Sequence, residues 1–98
     1  MIFISFGKLR KRPTKEFAIE SQKLMEKASK EGVKFLSFYF TLGIYDTIVI
    51  AEAPDEKTYM KHVMRIGDIT STETVVAIPR EEVIELVEQS NQSRSTQN

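Results

Sequence analysis

Apolar residues along the chain fall into four short runs that are typical of β-strands. Residues 2–6 form the first run, and residues 71–78 alternate apolar and polar positions as the last. Residues 34–41 (KFLSFYFT) and 44–53 (IYDTIVIAEA) form two inner runs that are apolar at almost every position. The pattern therefore predicts four strands.

Apolar residues at helical spacing fill the intervals between these strands. A first helix is predicted to begin at Pro13 or Thr14 and to end at Gly32. A second is predicted over residues 55–65, with its first residue, an aspartate, as the N-cap, and a short third over residues 81–89. The predicted apolar side of the second helix comprises Tyr59, Met60, Val63 and Met64.

The predicted order is β-α-β-β-α-β followed by a C-terminal helix. This order is typical of the α+β ferredoxin-like fold, in which a four-stranded antiparallel sheet carries both main helices on one face. Residues 1–89 are predicted to form this single domain. Residues 90–98 (SNQSRSTQN) are polar and low in complexity, and we predict that they form a disordered tail.

The connection between the two inner strands sets which residues share a face of the sheet. Thr41-Leu42-Gly43 is predicted to be a tight turn in which Gly43 has the left-handed conformation of a bulge. One face then carries Leu36, Phe38, Phe40, Ile44, Ile48 and Ile50, and the other carries Phe35, Ser37, Tyr39, Tyr45, Thr47 and Val49. A different loop length would exchange the faces of the third strand.

Both inner strands are too apolar for a sheet that is buried on one side only. The helices can cover one face, so the face with Phe3, Phe35, Tyr39, Tyr45 and Val49 would expose a large apolar patch. A second copy of the chain, packed sheet to sheet, is the simplest cover. The alternative is that the C-terminal helix folds back over this face.

Composition narrows the choice of function. The 98 residues include 14 Lys+Arg and 14 Asp+Glu, so the chain lacks the basic excess typical of nucleic-acid binders. The basic run of residues 8–12 is interpreted as a solvated loop, with an anion contact as the alternative. The chain has no cysteine and no apolar stretch long enough for a membrane span, which favours a cytoplasmic protein without a thiolate metal site. No cofactor is predicted.

Two sequence elements carry a family resemblance. The segment at residues 41–46 (TLGIYD), followed by residues 67–74 (GDITSTET), resembles the GYD-domain family over roughly residues 1–88. The basic run at residues 8–12 departs from the expected pattern. The same elements resemble the ligand-binding domain of Lrp/AsnC-type regulators, whose members bind amino acids or similar small molecules at subunit interfaces. The resemblance implies a prokaryotic, dimeric α/β barrel of ferredoxin-like units and no particular reaction.

Polar residues on the face assigned to the dimer interior are the candidates for a ligand site. These candidates are Ser5, Ser37, Tyr39, Tyr45 and Thr47. Hydroxyl groups converging on a small apolar cavity are the usual composition of a small-molecule pocket. The alternative is that neighbouring backbone groups or water satisfy each hydroxyl.

Asp46 and His62 allow a structural and a functional interpretation. We expect the Asp46 carboxylate to accept backbone N–H groups and fix the hairpin together with Gly43. His62, the only histidine, is predicted to be an exposed helix residue, and no metal site is predicted. The leading hypothesis is a homo-oligomeric small-molecule-binding module. The alternatives are a cofactor-poor dimeric-barrel enzyme of monooxygenase or isomerase type, acting through Tyr39, Asp46 or His62, and a purely structural oligomerisation module.

Overall fold

A computed structural model describes the backbone of residues 1–97 and the side chains of residues 1–91. The strands are β1 (Ile2–Leu9), β2 (Lys34–Phe40), β3 (Thr47–Glu52) and β4 (Thr70–Ala77). The helices are α1 (Lys15–Lys30), α2 (Glu56–Arg65) and α3 (Arg80–Gln97), and a 3₁₀ turn, Ile66–Asp68, joins α2 to β4.

The four strands form one antiparallel sheet in the order β2-β3-β1-β4. Both β1 and β3 are central, and α1 and α2 lie against one face. A compact core joins the sheet to the helices, and it comprises Phe3, Ala28, Val33, Ala51, Ala53 and Tyr59. The α+β ferredoxin-like architecture predicted from the sequence is confirmed.

Local signals in the sequence set the ends of the two main helices. Thr14 caps α1, with its Oγ1 accepting the N–H of Phe17 at 3.2 Å. Asp55 caps α2 in the same way, with its Oδ1 accepting the N–H of Thr58 at 2.8 Å. Gly32 follows α1 with φ of 109°, a conformation that favours glycine. The predicted caps of both helices are therefore present.

The connection between β2 and β3 is longer than the sequence predicts. β3 begins at Thr47 rather than Ile44, so residues 41–46 form a six-residue loop. Its ends are held by backbone bonds, since the N–H of Thr41 donates to Asp46 O at 2.8 Å and the N–H of Asp46 donates to Gly7 O at 2.7 Å. Gly43 has the expected positive φ, 113°, at the tip of this loop.

A bulge in β2 corrects the predicted division of the sheet into two faces. Between Phe35 and Ser37, β2 advances by two residues while β3 advances by one, so Leu36 is the extra residue. Before the bulge Phe35 pairs with Ala51, and after it Phe38 pairs with Val49. The predicted faces of β2 therefore exchange at Leu36. Ser37 and Tyr39 lie on the opposite face of the sheet from Phe35, not on the same face.

The helices cover the face that we predicted to be open. Phe3, Phe35 and Val49 lie on the helix side: Phe3 belongs to the core, Phe35 packs against it, and Val49 pairs with the buried Ser5. The face without a helix, called here the open face, carries Ile2, Ile4, Phe6, Ser37, Tyr39, Ile48, Ile50 and Val75. Its centre is apolar, as the dimer hypothesis requires, although Glu52 and Glu73 lie on the same face, and most of its residues differ from the predicted set.

The third helix does not cover the open face. Its apolar residues Val83, Ile84, Leu86 and Val87 are all exposed, and so are Tyr39 and Val75 on the open face. The molecule is elongated, with extents of 63 × 31 × 18 Å and a radius of gyration of 17.4 Å. A compact domain of this length has a radius of gyration of about 13 Å. α3 therefore extends away from the domain.

The C-terminal helix is longer than the sequence predicts. α3 continues to Gln97, where a disordered tail was expected from residue 90 onward. Asn98 lies outside the described residues, as do the side chains from residue 92 onward. The backbone of residues 90–97 is helical where the sequence predicts a disordered tail, and the part of that prediction that concerns Asn98 lies outside the described residues.

Candidate functional site

A small cavity lies between the helix layer and the covered face of the sheet. Its volume is about 50 Å³, room for roughly three or four water-sized groups. The central strands contribute Ser5, Thr47 and Val49 to its wall. The helices contribute Phe17, Tyr59 and His62. We call this space the His62 cavity.

A chain of hydroxyl groups borders the cavity. Ser5 Oγ is hydrogen-bonded to the Tyr59 hydroxyl at 2.7 Å and to Thr74 Oγ1 at 2.9 Å. The ring of Tyr59 stacks on Phe3, with the ring centroids 4.6 Å apart. Burial raises the pKa of Tyr59, while its bond to Ser5 acts in the opposite direction. Tyr59 is therefore a neutral phenol fixed at both its ring and its hydroxyl.

His62 is buried, which corrects the prediction of an exposed helix residue. Its side chain is 5% exposed, and its ring meets Phe35 edge-on at a centroid distance of 5.2 Å. Tyr59, His62 and Ile66 all line the cavity, and their i, i+3, i+7 spacing places them on one side of α2 and the turn after it. That spacing was the signal in the sequence. We had instead assigned Met60 and Met64 to the apolar side, and both are exposed.

The imidazole of His62 has a buried atom without a partner. Among the described residues, no group forms a hydrogen bond with His62 Nδ1. Burial, together with the nearby positive charge of Arg65, lowers the pKa of His62 to about 4. His62 is therefore a neutral imidazole at neutral pH. Its Nδ1 can donate or accept one hydrogen bond, depending on the tautomer.

The predicted site residues divide between the two faces of the sheet. Ser5 and Thr47 line the His62 cavity, whereas Ser37 and Tyr39 lie on the open face. Tyr45 borders the open face, since its ring packs on Phe6 and its hydroxyl donates to Glu73 Oε2 at 2.6 Å. That bond to Glu73 raises the pKa of Tyr45. The prediction that all five line one cavity is wrong, because it rested on the uncorrected register.

Asp46 holds the loop between β2 and β3 against the end of β1. Its Oδ2 accepts the N–H of Leu9 at 2.8 Å. We expected a carboxylate that accepts backbone N–H groups of its own turn, and the donor instead belongs to the neighbouring strand. Asp46 does not line the His62 cavity.

The basic run after β1 contains a residue with a structural role. Arg10 donates its backbone N–H to Ile69 O and its Nε to Gly67 O, each at 2.8 Å. Arg10 therefore joins the end of β1 to the turn before β4. Lys11 and Arg12 are exposed, as expected for a solvated loop.

The described residues include neither a cluster of metal ligands nor a membrane-spanning helix. No group of three or more His, Cys, Asp or Glu side chains in this part of the chain is arranged to hold a metal ion. None of the described helices combines the length and the apolar character needed to cross a membrane.

Comparisons with known proteins identify a family. The model of the GYD domain family matches residues 3–87. No curated protein matches the sequence. The crystal structure of MupZ from Pseudomonas fluorescens is similar to this chain at 19% identity and a TM-score of 0.48, covering 95% of this chain and 78% of that one. CutA1 from Pyrococcus horikoshii is similar at 16% identity and a TM-score of 0.36, covering 90% and 96%.

Proposed function

The chain belongs to the GYD domain family, and from that premise we propose that it is a self-associating protein that binds a small molecule in the His62 cavity. The observations that support binding are that His62 lines a cavity together with hydroxyl-bearing side chains, and that its buried Nδ1 has no hydrogen-bond partner among the described residues. A buried polar atom without a partner costs about 1–3 kcal/mol. A ligand that forms this hydrogen bond recovers that cost.

Binding is favoured over catalysis because the three side chains considered for catalysis do not converge. Tyr39 lies on the open face, and the Asp46 carboxylate accepts the N–H of Leu9. Of the three, only His62 lines the cavity. The lowered pKa of His62 also makes its imidazole a weak base at neutral pH. These placements give no acid–base pair across the cavity.

Self-association is supported by the apolar character of the open face. Ile4 lies at its centre, paired with Ile50 on β3 and with Val75 on β4. An exposed apolar patch of this extent on a four-stranded sheet is typical of an interaction surface. A second copy offers a face of the same twist and composition, so we propose an isologous dimer packed sheet to sheet. Ser37, Tyr39 and Tyr45 would then border the space between the two sheets.

Native mass spectrometry of the protein recovered from its own host tests the binding proposal. We expect a subpopulation that carries the added mass of a small molecule. We expect His62→Leu to lose this mass and Lys61→Leu, an exposed neighbour on α2, to retain it. Retention of the same mass by His62→Leu, or a bare wild-type chain under all gentle conditions, would contradict binding in this cavity.

Light scattering at micromolar concentration tests the assembly proposal. We expect the wild type to have twice the chain mass of 11.3 kDa. Ile4→Glu should give a folded monomer, because it places a carboxylate at the centre of the interface. The matched control is Ile19→Glu, which changes an exposed apolar residue on α1 and should remain dimeric. A monomeric wild type would overturn the proposal.

A further inference from the structure

A groove adjoins the His62 cavity, between the first half of α1 and the C-terminal end of β2. Its volume is about 480 Å³, within the range of roughly 300–1,000 Å³ for small-molecule sites. Four residues, Phe17, Ser21, Met25 and Phe38, line both the cavity and the groove. We call these four residues the neck, because they are common to the two spaces.

The walls of the cavity and the groove carry no formal charge. Charged residues make up 29% of the chain. None of them lines either space among the residues that the structure describes, and His62 is neutral at neutral pH. A charged ligand would lose its hydration here without gaining a counter-charge, which is strongly unfavourable. The lining therefore favours an uncharged ligand.

The groove offers an apolar and aromatic surface that the protein leaves uncovered. Phe38 and Phe40 are 41% and 65% exposed, although both project from the face of the sheet that the helices cover. Met25 lies in the neck, and its flexible thioether side chain can adapt to a ligand. An alkyl chain or an aromatic ring would bury these side chains.

The inner end of the space requires one specific polar group. The Tyr59 hydroxyl and Ser5 Oγ are hydrogen-bonded to each other, and among the described residues that line the cavity, His62 Nδ1 is the buried side-chain atom without a partner. A neutral imidazole presents Nδ1 either as a donor or as an acceptor. A hydroxyl group can do both, so it suits Nδ1 in either tautomer. The small volume of the cavity admits a group of this size and leaves the rest of the molecule in the groove.

We propose that the groove and the His62 cavity are one site for an uncharged hydroxyl compound, whose hydroxyl group is hydrogen-bonded to His62 Nδ1 and whose apolar body lies against the neck and Phe40. This inference rests on the proposed binding function and adds to it the chemical class of the ligand and its orientation. The hydroxyl end enters first, and the apolar end remains closest to solvent.

Three probes with the same apolar body test the ligand class by nuclear magnetic resonance of the isotope-labelled full chain at neutral pH. They are para-butylphenol, butylbenzene and para-butylbenzoate. We expect para-butylphenol to shift the Nδ1 resonance of His62 and the signals of Phe38. Butylbenzene should shift the signals of Phe38 only. The benzoate should bind at least about tenfold more weakly than para-butylphenol. Equal or tighter binding of the benzoate would overturn the assignment of an uncharged ligand.

Variants separate the hydrogen bond from the apolar contact. His62→Leu should lower the affinity for para-butylphenol about two- to tenfold and leave the affinity for butylbenzene unchanged. Ser21→Leu, which narrows the neck, should abolish the shift of His62 Nδ1, whereas Ser29→Leu, on α1 but outside both spaces, should not. If His62→Leu does not fold, the Nδ1 resonance of the wild type decides: a signal unmoved by bound para-butylphenol refutes the proposed hydrogen bond.

The outcomes distinguish the ligand class from the underlying function. If a host molecule is retained in a His62-dependent manner but para-butylphenol does not bind, the ligand class is wrong and the cavity still binds a small molecule. If no host molecule is retained and none of the three probes perturbs the neck, both proposals are refuted.

Discussion

The hydroxyl groups of Ser5 on β1 and Tyr59 on α2 are hydrogen-bonded at 2.7 Å, and this bond joins the centre of the sheet to the helix layer. Tyr59→Phe keeps the ring stacked on Phe3 and removes only the hydroxyl. Because Ser5 retains its bond to Thr74, we expect a loss of about 0.5–1.5 kcal/mol in the free energy of unfolding. Urea denaturation measures this loss.

A double-mutant cycle assigns the effect to the pair. Ser5→Ala combined with Tyr59→Phe should cost less than the sum of the two single changes, since both remove the same bond. Strictly additive losses would show that the two hydroxyl groups do not interact in solution. Tyr59→Ala should cost about 3–5 kcal/mol, because it also removes the buried ring.

Asp46 provides a second long-range link, between the loop after β2 and the end of β1. Asp46→Ala leaves the N–H of Leu9 without its acceptor, and we expect it to lower the free energy of unfolding by about 1–3 kcal/mol. Asp46→Asn retains a side-chain oxygen and should lose less. Thermal and urea unfolding measure both. Asp68→Ala, an exposed aspartate in the turn before β4, is the control and should change stability by less than about 0.5 kcal/mol. Equal losses in Asp46→Ala and Asp68→Ala would contradict the assigned role.

The order of the elements and the positions of both helix caps could be predicted from the sequence, because each depends on local residues. For example, Asp55 caps α2 by accepting the N–H of Thr58, three residues later in the chain. The bulge at Leu36 could not be predicted in this way. β2 is apolar at both parities, so no change in pattern marks the extra residue, and the pairing with β3 decides its position.

The same distinction between local and long-range determinants explains which residues of the candidate site could be predicted. The polarity of Ser5 and Thr47 in apolar strands predicts cavity residues between two sheets, and the structure places both in a different cavity, between the sheet and the helices. His62 was missed, because α2 has two sides with apolar residues and the choice between them depends on the fit to the core. The side with Tyr59 and His62 packs against Phe3 and Phe35, and the side with Met60 and Met64 does not.

Burial of His62 makes the stability of the protein depend on pH between about pH 6.5 and pH 5, above the range in which carboxyl groups of ordinary pKa titrate. The pKa of His62 is lowered from 6.5 to about 4 in the folded state. Between these values the unfolded chain binds more protons than the folded chain, so stability falls as the pH falls. From pH 6.5 to about pH 5 we expect a loss of about 1.5 kcal/mol.

Urea denaturation at several pH values measures this slope. His62 is the only histidine, so His62→Gln should remove the slope above about pH 5, where carboxyl groups of ordinary pKa are ionised. A wild-type stability that is flat over this window, or an equal slope in His62→Gln, would show that the imidazole is solvated in the folded state.

Gly7 lies on β1 between two threonines that line the His62 cavity. A Cβ atom at this position would collide with Thr47 Oγ1 and approach Thr70 Cγ2 to 2.8 Å. Threonine is branched at Cβ and rotates only between a few positions, so one of the two side chains must move into the cavity. We expect Gly7→Ala to lower the free energy of unfolding by about 1–3 kcal/mol and to weaken binding of para-butylphenol.

Gly67→Ala is the matched control for this change. A Cβ atom at Gly67 meets no heavy atom within 4 Å, and its φ is not positive. Stability should therefore stay unchanged or rise by up to about 1 kcal/mol, and probe binding should not change. If Gly7→Ala were as stable as Gly67→Ala and bound the probe normally, the threonines on either side of Gly7 would have room to move. The wall of the cavity at this point would then be too loose to define what fits inside it.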